Sequence, residues 1–78
     1  MTKNINLSNI LTGRTYTVLG FESEASEYSQ KLRKMGFVEG TKITLAPIKI
    51  SDPMIFEIRG SRVALRKNEA DQVKVEEV

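Results

Sequence analysis

The sequence predicts a mainly β fold: a small, SH3-like, partly open β-barrel of about five strands, with one α-helix after the first strand. Three observations lead there. Most apolar residues alternate along short segments, as in half-buried strands. One segment only, from Ser23 to Met35, switches to the helical period. Short turns join these segments in a chain of 78 residues, and closing a sheet on itself shields its edges. A chain this short has room for one core, so residues 1–78 read as one domain.

Each element has its own signal. Residues 1–12 carry Leu7, Ile10 and Leu11 before Gly13, and read as a loop or single turn tucked under the core. RTYTVLGFE alternates, with Tyr16, Val18 and Gly20 on one face and Thr15, Thr17 and Leu19 on the other, which gives the first strand. The helix follows, with Ser23 as N-cap and Ala25, Tyr28, Leu32 and Met35 as one stripe. Glu24 and Glu27 suit the positive end of its dipole, and Lys31, Arg33 and Lys34 the negative end. TKITLAP places Ile43 and Leu45 on one face; the phase slips at Pro47, and Ile48 and Ile50 alternate beyond the bend. Asp52-Pro53 is a turn signal. MIFEIR aligns Met54, Phe56 and Ile58, and Gly60-Ser61 suits a type II′ hairpin loop. RVALR turns Val63 and Leu65 inward and Arg62 and Arg66 outward. KNEAD is a polar half-turn, and QVKVEEV closes the chain with Val73 and Val75 inward.

Gly36 and Gly40 pose a choice between phosphate cradle and chain turn. A phosphate loop places its glycines after a strand and before a helix, so that helix N–H groups face the anion. Here the helix comes first and offers carbonyl oxygens. Gly36 fits the left-handed position that ends a helix, with Phe37 packing back on Leu32. Gly40 fits the third position of a type II turn. Both glycines turn the chain.

Several pieces then line up in order: KLRKMGFVEG, LAP, SDP and VALRKNEADQVKV, spanning about Gln30 to Val75, with LSNILTGRTYTV a looser match before them. In this order they resemble the FeoA family. Two departures stand out. Glu39 stands where the family usually has proline, and IKIS separates an Ala-Pro and an Asp-Pro that usually lie closer. The resemblance implies an SH3-like barrel in the cytoplasm that supports, by protein contact, a membrane transporter for ferrous iron with a GTP-binding cytoplasmic part. Similar domains are fused to some metal-dependent repressors, which leaves a regulatory role as an alternative.

Composition narrows the chemistry. The chain has no cysteine and no histidine, so thiol nucleophiles, disulfides and imidazole ligands are excluded. The carboxylates fall mostly in turns and termini, and Glu76 and Glu77 are neighbours on a strand pointing opposite ways, so no enzyme is expected. Glu22, Glu24 and Glu27 are the best carboxylate cluster, and the helix dipole accounts for them; neither metal nor cofactor is expected. No secretion signal or apolar spanning run is visible, which suggests a cytoplasmic protein reaching the membrane only through its partner.

Twelve basic against ten acidic residues give a net charge of +2. Lys31, Arg33, Lys34, Arg59, Arg62, Arg66 and Lys67 could track phosphates, which makes a nucleic-acid-binding barrel the rival reading. The stacking aromatics that should interleave with such charges are scarce. Weak self-association is a third reading. The expected partner surface has Phe37, Ile48, Ile50 and Met54 as apolar contacts and Arg33, Lys34 and Arg66 as charged rim, with Gly36, Gly40, Asp52, Pro53 and Gly60 shaping the turns.

Overall fold

The computed structural model describes residues 4–48 and 52–78. Among these residues, six antiparallel strands form one sheet: β1 (Asn4–Asn6), β2 (Tyr16–Phe21), β3 (Lys42–Leu45), β4 (Met54–Ile58), β5 (Ser61–Leu65) and β6 (Val73–Glu77). Their order is β1-β6-β2-β3-β4-β5, and the two ends of the sheet do not pair with each other. The predicted strands are all present. The added one is β1, paired with β6 through Ile5 and Val75, where a loop was expected. The turn beyond it is a 3-10 turn over Leu7–Asn9, and Leu7 and Ile10 enter the core as anticipated, whereas Leu11 stays exposed.

Alternation places Tyr16, Val18, Ile43, Phe56, Ile58, Val73 and Val75 in the core. In β2 a bulge shifts the register between Val18 and Gly20. The two-residue period predicts that Phe21 points outward; the extra residue brings it back inside.

Helix α1 (Glu27–Lys34) begins three residues later than predicted. Ser26, not Ser23, is the N-cap, and its hydroxyl oxygen accepts from the Ser29 N–H at 3.0 Å. Ser23 contributes its carbonyl, to which the buried Ser29 hydroxyl donates. Ala25 is therefore exposed ahead of the helix, and Met35 lies half out of the core. The far end follows expectation. Gly36 has φ +109°, its N–H reaches the Arg33 carbonyl at 3.1 Å, and the Phe37 N–H reaches the Leu32 carbonyl at 3.1 Å. Those two bonds define the Schellman motif. Gly40 has φ +88° within a turn closed by Thr41 N–H to the Val38 carbonyl at 3.0 Å, as a type II turn requires.

Two turns differ from prediction. The β4–β5 loop is Arg59-Gly60, with φ +53° and +80°, and Ile58 pairs with Ser61. It is a type I′ turn, one residue earlier than the Gly60-Ser61 expectation. KNEAD is a helical turn, α2 (Lys67–Ala70), with Ala70 buried. Its donors are met from two directions: Glu69 Oε1 accepts from the Arg66 N–H at 2.8 Å, and Asp52 Oδ1 accepts from the Lys67 N–H at 3.0 Å. The Asp52 carboxylate thus ties the turn before β4 to α2, and the Asp52-Pro53 peptide bond is cis.

Candidate functional site

The outer face of β3, β4 and β5 carries two adjacent rows of side chains. Thr44, Glu57 and Arg62 form a polar row, with the Thr44 hydroxyl 3.4 Å and Arg62 Nε 3.3 Å from the Glu57 carboxylate. Ala46, Ile55 and Ala64 form the next row, since Ile55 pairs with Ala64 and accepts from the Ala46 N–H at 2.9 Å. At the end of the apolar row the surface opens into a cleft of about 250 Å³, lined by Ser8, Leu45, Ala46, Ile48, Met54, Ile55 and Lys67.

This cleft gathers part of the predicted partner surface and divides the rest. Ile48 is 39% exposed and lines it, and Arg66 precedes the lining Lys67. Met54 contributes only an edge, because its side chain belongs to the core. Phe37 is a correction: with no exposed surface at all, it is the anchor of the helix end and offers nothing to a partner. Ile50 lies outside the described residues. Arg33 and Lys34 sit elsewhere. A side chain grown on Gly36 would touch Arg59 Cδ at 3.5 Å, so the helix end meets the β4–β5 hairpin. Met54 starts β4 and Ile58 ends it, roughly 13 Å apart at the rise of a strand. Arg33 is also occupied within the fold. It pairs with the Glu24 carboxylate and lies over the Phe21 ring at 5.0 Å.

The sequence pattern reads Leu45 as core, gives Lys67 only to the phosphate-tracking face of the rival reading, and leaves Ser8 without a role. Leu45 occupies an inward phase, but at the end of its strand, where the core gives way to the cleft. Ser8 and Lys67 arrive through tertiary packing alone. Ile55 carried a signal, its outward phase between Met54 and Phe56.

The carboxylates at the helix start part company. Glu22 faces Lys74 at 3.9 Å, and Glu24 serves the Phe21 N–H at 2.7 Å and Arg33. Among the described residues, no three histidines, cysteines, aspartates or glutamates gather in one place. The aromatics argue in the same way about stacking. Tyr16, Phe21, Phe37 and Phe56 are buried, and Tyr28, half-buried against the core, shows its remaining surface beside Asn68, Glu69 and Gln72, so four of the five rings are closed to a base and the fifth is only partly open.

The fold is that of a small SH3-like domain with an open cleft on its surface. The FeoA domain model matches residues 5–77, and the chain belongs to the FeoA family. A FeoA-like protein from Clostridium acetobutylicum is 33% identical, over all of this chain and 91% of that one, with a TM-score of 0.82. An iron uptake regulatory protein (FeoA) is 26% identical over 97% of this chain and 99% of its own, also with a TM-score of 0.82. The FeoA of Stenotrophomonas maltophilia, solved with zinc and described as a prokaryotic SH3 domain protein possibly acting as a ferrous iron transport activating factor, is 25% identical over 91% and 88% of the two chains, at 0.77. A manganese-dependent transcriptional repressor shares the fold alone, at 18% identity, with 44% of its length covered and a TM-score of 0.80. No curated protein matches the sequence. No helix among the described residues is long and apolar enough to cross a membrane.

Proposed function

We propose that this chain is a non-enzymatic accessory module of ferrous-iron transport, docking in the cytoplasm on the GTP-binding part of the membrane transporter. The observation that carries the reading is the open apolar cleft around Ile48 and Ile55, with Lys67 on its lining and Arg66 next to it in the chain, on a member of the FeoA family. An apolar centre with a cationic rim suits a protein surface. The rival nucleic-acid reading is weakened by the burial of the rings.

The test is titration of the protein into solubilised transporter at two salt concentrations, with a labelled oligonucleotide as control. Saturable transporter binding should change little with salt. Ile48→Asp or Ile55→Asp should weaken it at least tenfold, about 1.4 kcal/mol, while the circular dichroism spectrum is unchanged. Oligonucleotide binding that falls steeply with salt would replace this reading with the nucleic-acid one.

A further inference from the structure

Strand β5 ends the sheet, and no strand among the described residues pairs with its outer edge. Ile58 and Ser61 flank a two-residue turn and form a hydrogen-bonded pair, so the antiparallel ladder makes Phe56–Val63 and Met54–Leu65 the next such pairs. Arg62 and Ala64 therefore direct their backbone N–H and C=O groups away from β4. The opposite side of β4 agrees, because Ile55, the partner of Ala64, spends its carbonyl on Ala46 of β3. The edge is also short. Arg66, next in the same phase, already gives its N–H to the Glu69 carboxylate. Two donors and two acceptors remain, on Arg62 and Ala64, and no other element among the described residues pairs with them.

We propose that β5 accepts an extended segment of a partner protein as a seventh, antiparallel strand, with an acidic residue opposite Arg62 and an apolar residue opposite Ala64. The two rows on the outer face dictate that pattern. A seventh strand would prolong Thr44–Glu57–Arg62 with a second carboxylate, and the guanidinium has donors enough for both. It would prolong Ala46–Ile55–Ala64 with an apolar side chain beside the cleft. Charge selects among occupants. Arg62 stands on this edge and Arg66 follows it in the same phase, with Glu57 as the carboxylate partner of Arg62 on the outer row. A second copy of the chain would bring the same cations against them, whereas an acidic strand is attracted.

The experiment is an NMR titration of the full 78-residue chain, labelled with nitrogen-15. The probes are two short peptides alternating valine and threonine, one with glutamate and one with lysine at the position facing Arg62. With the glutamate peptide, the Arg62 and Ala64 amides should shift and exchange at least tenfold more slowly with solvent. The lysine peptide should bind at least tenfold more weakly. Ala64→Pro should abolish glutamate-peptide binding and keep the fold, because the N–H it removes has no partner among the described residues. Arg62→Glu should invert the preference between the peptides, and serves as the second variant. Unmoved Arg62 and Ala64 amides, equal binding of both peptides, shifts confined to Ile48 and Ile55, or self-pairing of the chain at this edge would each overturn the proposal. The peptides probe the edge without the transporter, so the outcome is independent of the cleft reading.

Discussion

Two residues show how position outweighs residue type. Arg59 holds φ +53° at the first corner of a type I′ turn, a conformation that favours asparagine or glycine and strains longer side chains. Its aliphatic stem lies near Gly36. Arg59→Asn should stabilise the domain by about 0.5–1 kcal/mol, seen as a melting temperature higher by several degrees. Tyr28 is perturbed by its surroundings. Burial first, then the Glu69 carboxylate, raise its hydroxyl pKa from 10.0 to about 12. The folded state thus holds the phenolic proton where the unfolded chain releases it, and stability should fall as pH rises from 10 to 12. Melting temperatures recorded across that window should decline less in Tyr28→Phe than in the parent.

The helix tests how well elements can be read before they are seen. Its C-terminal end was legible, because Gly36 and the Leu32–Phe37 pair signal a Schellman motif locally. Its start was not. Ser23, Ser26 and Ser29 recur every three residues, all three are credible caps, and the acidic residues around them suit a helix beginning at either of the first two. What decides is that Glu24 turns back to the Phe21 N–H and Arg33, which keeps residues 22–25 out of the helix. Ser26→Ala should therefore cost about 1 kcal/mol in urea denaturation. Ser23→Ala should stay within about 0.5 kcal/mol, since the side chain of Ser23 has no part in the cap. The candidate site was legible in proportion to its local content. The outward phase of Ile55 and the apolar Ile48 near a turn pointed to the cleft, while Ser8 and Lys67 reach it only through α2 and the N-terminal turn. Phe37 misled for the converse reason. The Schellman signal tells that it packs back on Leu32, and only the folded chain shows that this packing leaves it no exposed surface for a partner.

At the scale of the whole molecule, the order β1-β6-β2 joins the first strand to the last. No local pattern in Asn4–Asn6 announces a strand: it has one apolar residue, and its partner Val75 lies at the other end of the sequence. The pairing becomes intelligible once β6 is placed beside β2 with its other edge unfilled. Leu7 and Ile10 then enter the core, and the Leu11 N–H reaches the hydroxyl of the buried Tyr16 at 3.0 Å. Removing this segment would uncover the apolar surface of two large side chains, worth about 1.5–3 kcal/mol each. It would also take from the Tyr16 hydroxyl its backbone donor, at a cost of about 1–3 kcal/mol if that group stays buried. A domain of this size is stable by about 4–12 kcal/mol at the usual value per residue, so the losses approach or exceed the lower half of that range. A chain beginning at Thr12 should accordingly be unfolded in most molecules at 25 °C, with loss of far-ultraviolet β signal and collapse of amide dispersion in NMR spectra. Folding of that chain with unchanged dispersion would mean that β2 to β6 suffice, and that the first strand only covers an edge.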